Sequence, residues 1–336
     1  MRIDIQLDAR PDAAAGRAAA LAATGVDGLF TFEGPHDVFL PLALAAPVTQ
    51  IDLMTNVAIA FPRSPLHLAH AAYDLQLLSG GRFHLGLGSQ IKPHIENRYG
   101  SSWSKPAARM RETVLAVKAI LSSWQDGTPL DFRGEFTRHT LMPPTFNPGP
   151  SPYGAPPVLM GALGPVLTRT AAEVADGLLV MPFNSLRHFR ERTMPAVESG
   201  LDRAGRTRDQ LSIVPQVIAA VGRTPEQLEV ASTCVRRLLA FYGSTPNYRP
   251  VLEVEGWESL QPELNRLSKV GAVGEMTDLV DDTMLATLAV RGTPEECAHE
   301  IVRRFGDVAD RVCVYFPGYD IDPDQLRDLV TALHSA

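Results

Sequence analysis

PVLMGALGPVLTRTAAEVADGLLV occupies residues 157–180. It opens on a short apolar run (157–162), crosses the turn Gly161, Ala162, Leu163, Gly164, Pro165, enters a helical pattern (166–174) and closes on a second apolar run (177–182). Two short strands joined by one helix form a βαβ unit, whose strands pair in parallel. Neither strand alternates polar with apolar residues, as expected where both faces of a sheet are covered.

The unit repeats along the chain. Runs at 2–7, 28–33, 52–60, 83–89, 157–162, 177–182, 211–221 and 311–316 read as strands. Segments 12–24, 41–50, 66–78, 106–124, 166–174, 186–204, 225–241, 294–305 and 323–333 read as helices. Several helices open on a capping side chain followed by proline, as at Thr224-Pro225, Thr293-Pro294 and Asp322-Pro323. Eight strands alternating with helices predict the α/β class and a (β/α)8 TIM barrel with insertions. A doubly wound open sheet is the competing arrangement, because periodicity does not show closure. Two stretches interrupt the rhythm: 126–156, rich in proline, glycine and asparagine, and 242–292, which holds Trp257 and short helical pieces such as 262–270. Neither has linker composition. The reading is therefore one barrel domain over 1–336, with both insertions near one mouth and their aromatics (Phe136, Phe146, Tyr153, Tyr242, Tyr248, Trp257) shaping a pocket.

Composition narrows the class. With 45% hydrophobic and 21% charged residues, the 336-residue chain is globular, not disordered, collagenous or a disulfide scaffold. A net charge of −7 argues against a nucleic acid or an anionic membrane as partner. Cys234, Cys297 and Cys313 have no metal-ligand spacing and read as small hydrophobes in a reducing compartment. The start lacks a signal-type apolar region and no apolar run approaches 18 residues, so a cytoplasmic protein is expected.

In a barrel, function collects where strands end, at the C-terminal face. There the turn carrying Gly161, Ala162 and Gly164 lets the backbone approach a ligand and turns a helix N-terminus toward an anion such as phosphate; a tight βα turn is the plainer reading. Gly88, Ser89 and Gln90 end another strand, where small residues leave room for a flat ring, though packing also explains them. Glu33, His36 and Asp37 form an acid/imidazole/acid cluster suited to proton transfer near neutral pH. The plain alternative is Asp37 capping a helix beside a solvated Glu33. His67 and His70, with Asp74, sit on a helix rather than at a strand end, so no metal site is expected. No G-x-S-x-G elbow or flanked nucleophilic cysteine supports covalent hydrolysis.

HLAHAAYDLQLLSGGRFHLGLGSQ (67–90), the arginine-bearing WSKPAARMRETVLAVKAI (103–120) and PVLMGALGPVLTRTAAEVADGLLV (157–180) together resemble the bacterial luciferase-like monooxygenase superfamily, in style closest to its deazaflavin (coenzyme F420)-dependent oxidoreductases. The resemblance spans most of the chain and fades over 242–292. It implies an interrupted (β/α)8 barrel binding a flavin or deazaflavin at the C-terminal mouth. It also implies a non-proline cis peptide at Asn56-Val57, bulged against the ring's back face. Gly161, Ala162 and Gly164 would hold the cofactor phosphate, with Gly88, Ser89 and Gln90 at the ring. Glu33 and His36 would face the substrate, with Asp37 assisting. Lys92, Arg63 and Arg98 are the basic groups near the strand ends for an anionic tail. The chain departs from its relatives where His36 follows a Gly34-Pro35 turn, in place of a histidine pair, and where Ile91 stands at a position some relatives fill with an acid.

The function implied is F420-dependent hydride transfer to or from a small organic substrate. The alternative within the family is an FMN-dependent monooxygenase using reduced flavin and O2, with a separate reductase supplying the reduced cofactor. A non-catalytic flavin-binding protein is the reading from another class. A homodimer is expected by the same resemblance.

Overall fold

A computed structural model describes residues 1–309 and 311–336. Eight parallel strands form its centre: β1 (Arg2–Gln6), β2 (Gly28–Thr31), β3 (Asp52–Thr55), β4 (Phe83–Gly88), β5 (Val158–Ala162), β6 (Gly177–Val180), β7 (Ser212–Val221) and β8 (Arg311–Tyr315). Each pairs with the next, and β8 pairs back onto β1 from Arg2 opposite Arg311 to Ile5 opposite Val314, so the sheet is closed. Closure rules out the open sheet. All eight runs fall where the apolar pattern puts strands, and Thr224, Thr293 and Asp322 each cap a helix through the side chain.

The unbroken apolar runs follow from double burial. One set of strand residues, including Ile3, Leu29, Leu53, Leu85, Val158 and Leu178, packs under the helices. Phe30, Met54, Leu159, Leu179, Val214 and Cys313 form a separate cluster filling the barrel itself. Below them, the N-terminal end is plugged by charge. Arg311 donates to both oxygens of the buried Asp4 (2.9 and 3.1 Å) and to Asp52. Arg2 also binds Asp52 at 3.0 Å, and His84 Nε2 lies 3.9 Å from the same carboxylate. Burial holds the Asp4 carboxyl up at about 6 against the pull of Arg311. Gly28 belongs to this plug, since a Cβ there would stand 2.4 Å from Asp4 Oδ1.

Three expectations need correction. The third run is not one strand: β3 stops at Thr55 and pairing resumes only at Ala58–Ile59. Segment 186–204 is helical but not one α-helix: an α turn, Leu186–His188, passes through a π-helical turn, Phe189–Thr193, into the α-helix Met194–Ala204. The 126–156 excursion does not sit wholly at the mouth. It leaves the C-terminal end of helix Pro106–Asp126 and leads into β5, so it starts and finishes at the N-terminal face. Its proline-rich half binds there, with Tyr73 donating to Gly149 O, Gln125 contacting Ser151, and Tyr153 lying on Gly81. Only its hairpin, Phe132–Arg133 with Arg138–His139, climbs toward the other end, where Glu112 accepts the N–H groups of Glu135, Phe136 and Thr137. The 242–292 excursion does reach the C-terminal side. Its helices Arg249–Glu255, Leu260–Lys269, Val273–Asp278 and Asp282–Leu288 bury a second cluster with Phe183, Ile218 and Ala220, and it ends in a short strand, Val290–Gly292, beside β7. Among the described residues no helix is long and apolar enough to cross a membrane.

The charged plug makes a stability prediction. Arg311→Met strands Asp4 and Asp52 without their shared cation and should cost about 3–5 kcal/mol, read as a lower urea midpoint at unchanged m-value. Adding Asp4→Asn should recover part of that loss.

Candidate functional site

The C-terminal mouth is organised by the break in the third strand. Met54 pairs with His84 and Ala58 with Leu87, so β3 carries one more residue than β4 across the gap, which is a bulge. Thr55 bridges it: its hydroxyl donates to Gly86 O (2.8 Å) and accepts from Gly86 N–H (2.9 Å). The Asn56-Val57 peptide is cis, where the sequence resemblance puts it. Val57 is thereby carried over the neighbouring strand ends. A Cβ on Gly86 would fall 1.9 Å from Thr55 O, one on Gly88 2.4 Å from Val57 Cγ2, and one on Gly161 3.1 Å from Val57 Cγ1. Gly86 and Gly88 are therefore demanded by the bulge itself, whatever the mouth binds, while a Cβ at Gly161 would need Val57 to shift by a few tenths of an ångström. Gly164 differs, with no heavy atom within 4 Å of a Cβ built on it.

Beneath the bulge the barrel is closed by polar groups. Gln216 on β7 donates across to Asn56 Oδ1 at 2.7 Å. The Asn56 amide nitrogen is buried without an oxygen or nitrogen acceptor among the described residues and faces the Cys313 thiol.

The proton-handling candidates separate. Glu33 is not solvated: its side chain is 7% exposed and both oxygens are engaged. Ile59 N–H (2.7 Å) and Arg63 (2.6 Å) donate to Oε2, and the Tyr99 hydroxyl (2.9 Å) to Oε1. Burial, then the Glu33 charge, push the Tyr99 hydroxyl up to about 12, so it remains a donor. Asp37 accepts from Phe39 N–H and Leu40 N–H, turning the chain into helix Leu40–Ala45, and lies 3.8 Å from Arg63. His36, between them, is exposed and makes no hydrogen bond among the described residues. Ser89 donates to Gln90 O, and Gln90, at φ 58°, turns its side-chain oxygen onto Ile91 N–H.

The basic groups expected for an anionic tail are mostly committed. Arg63 is held by Glu33, Arg98 donates to Gly34 O and lies over the Tyr99 ring, and Lys92 stands 3.9 Å from Glu96. The helix Pro165–Val174 has no side-chain cap; its N-cap is Gly164, so the N–H groups of its first turn face the mouth free of side chains. On the far rim, Phe183, Tyr242 and Tyr248 pack as an aromatic trio with centroids 5.9–6.1 Å apart. Phe146 and Tyr153 are exposed elsewhere. His70 stacks on Trp124 and His67 contacts Ser64, and no metal-binding group of His, Cys, Asp or Glu occurs among the described residues.

Two site residues escape the sequence reading. Gln216 carried a signal, being a polar residue in an otherwise apolar inward-facing strand. Tyr99 carried none, since its partner Glu33 lies 66 residues away.

A closed (β/α)8 barrel whose mouth combines a bulged third strand, a glycine turn and an uncapped helix N-terminus defines a class of small-molecule enzyme. The family model for luciferase-like monooxygenases matches residues 2–311, and the chain belongs to that family. It is an oxidoreductase by that membership. It is 47% identical over 304 residues to an uncharacterised protein of Mycobacterium tuberculosis, covering 90% of this chain and 89% of the relative. It is 28% identical over 291 residues to the 5,10-methylenetetrahydromethanopterin reductase of Archaeoglobus fulgidus, covering 85% and 82%. The solved coenzyme F420-dependent tetrahydromethanopterin reductase of Methanopyrus kandleri superposes with a TM-score of 0.81 at 20% identity, over 100% of this chain and 98% of that one.

Two predictions concern the framework of the site. Glu33→Ala leaves Arg63 and the Ile59 N–H without their acceptor and should destabilise the protein by about 2–4 kcal/mol, measured by chemical denaturation; Glu33→Gln should lose less. The second concerns His188, which is buried beside the mouth residue Asn184, with its Nδ1 2.8 Å from Asn184 Oδ1. Burial, then Arg192, lower it to about 4. The unfolded chain takes up this proton below its ordinary value near 6.5 while the folded chain does not. Stability is therefore complete above pH 6.5 and falls toward pH 4, by on the order of 3 kcal/mol from this group. His188→Gln should flatten the fall in urea midpoint between pH 7 and 5.

Proposed function

We propose that the protein is a deazaflavin (coenzyme F420)-dependent oxidoreductase that transfers hydride to or from a small organic substrate. The observation that carries the reading is the uncapped N-terminus of helix Pro165–Val174, behind the open Gly164 and beside the Val57 platform. A phosphate suits those N–H groups and a flat ring suits the Val57 face. A relative from Mycobacterium tuberculosis, 29% identical over 290 residues and described as a putative coenzyme F420-dependent oxidoreductase, supports deazaflavin over FMN.

When bound, a deazaflavin supplies hydride chemistry without activating oxygen. The chain's own residues then have separate tasks. Gly161, Ala162 and Gly164 hold the phosphate through the backbone, while Val57, with Gly88 beneath it, backs the ring. Ser89 and Gln90 border it. Glu33 is a positioning residue: it fixes Ile59, two residues past Val57, and so holds the platform in place. Asp37 fixes the turn after β2, and His36, left free between them, moves the proton at its imidazole.

Titration with coenzyme F420 should give micromolar binding seen as an absorbance shift, with weaker binding of FMN. Gly164→Asp should lower F420 affinity at least about tenfold by setting a carboxylate where the phosphate binds, yet raise the melting temperature slightly as a better N-cap. Absence of F420 binding, or tight FMN binding with oxygen consumption, overturns the proposal, the latter in favour of a monooxygenase. Once a substrate is in hand, His36→Asn should lower kcat with KM little changed.

A further inference from the structure

A cavity of about 440 Å3 opens beside the mouth, between helix Pro225–Gly243, helix Val273–Asp278 and the chain leaving β8. Its walls are apolar, with Leu238, Met276, Phe241 and Val273; the last two are 56% and 47% exposed and stand at its opening. The volume lies in the range that takes a small organic ligand.

Two polar groups in the lining lack a protein partner. Arg237 makes no hydrogen bond or ion pair among the described residues, although its neighbour Arg236 is held by Asp282 and Glu229. The Tyr315 hydroxyl likewise has no hydrogen-bond partner there. Tyr315 pairs with Ile218, two residues along from the Gln216 and Cys313 pair and so on the same face of β8 as Cys313, which puts it between the cavity it lines and the floor built by Gln216 and Asn56. Burial, then the charge of Asp8, push the Tyr315 hydroxyl above its ordinary value, which keeps it protonated.

We infer that this cavity binds an apolar carboxylate, with Arg237 as counter-ion at one end and the apolar or carbonyl-bearing end directed at Tyr315. The orientation follows from Arg237, whose planar fork of donors matches a carboxylate. The apolar walls take the chain between them. That this ligand is the substrate rests on the hydride-transfer reading; that the cavity binds it does not.

The test is calorimetric titration of the protein with octanoate and with octanamide, its neutral counterpart. Wild type should bind octanoate at least about tenfold more tightly than octanamide. Arg237→Met should erase that difference and Arg237→Lys should retain much of it. Val273→Trp, at an exposed position that tolerates the change, should weaken both ligands by narrowing the opening. The inference fails if wild type shows no octanoate binding, if Arg237→Met binds octanoate as well as wild type, or if Val273→Trp leaves both affinities unchanged. A parallel F420 titration keeps the two ideas apart. Octanoate binding without F420 binding overturns the redox reading and leaves the cavity assignment standing; the converse removes only the cavity assignment.

Discussion

The contact between Val57 and the glycines of two neighbouring strands governs the mouth of this barrel. The side chain occupies space that a Cβ at Gly88 would need and crowds one at Gly161, while the Thr55 carbonyl excludes one at Gly86. A strand that must lift a residue over its neighbours requires neighbours with no side chains there. Everything nearby is arranged around that displacement. Thr55 replaces the missing ladder bonds, Asn56 N–H donates to Thr31 O, and Glu33 grips the chain again at Ile59. Glu33 is in turn neutralised by Arg63 and bridged by Tyr99, so the shape of the platform depends on residues drawn from β2, the bulge and the segment after β4.

The two ends of the barrel use polarity in opposite ways. At the N-terminal end Asp4, Asp52, Arg2 and Arg311 satisfy one another and seal the lumen. At the C-terminal end the hydrogen bond from Gln216 to Asn56 closes the apolar interior, and the groups above it have no partner among the described residues: the His36 imidazole, the first turn after Gly164 and the Tyr315 hydroxyl. Satisfied charge at one end and unsatisfied donors at the other separate the part of the molecule that confers stability from the part available to ligands.

What was legible in the sequence follows from the range of the forces involved. The eight strands and most helices rest on local apolar runs and caps, and they stand where those patterns put them. Barrel closure is a long-range property: the count of eight strands suited it and the resemblance implied it, but periodicity left an open sheet in play. The broken third strand has no signal in its own residues, since DLMTNVAIA reads as one apolar run. Glu33 could be seen as an acid at a strand end, but not as a buried clamp, because its partners lie 26, 30 and 66 residues along the chain. The placement of 126–156 was recoverable by geometry alone: a segment between a helix and the following strand begins at the N-terminal face, however rich in aromatics it is. The strand Val290–Gly292, three residues long, is too short for periodicity to register.

The central claim is that the bulge carrying Val57 is a platform for a flat redox ring whose phosphate sits on the helix after Gly164. A crystal structure of the protein with coenzyme F420 tests it most directly. The deazaflavin ring should lie on Val57, with the phosphate against the Gly161–Gly164 turn and within hydrogen-bonding distance of the first-turn backbone N–H groups of Val166 and Leu167. A ring bound away from Val57, or a phosphate held by side chains elsewhere while that helix N-terminus stays empty, would contradict it.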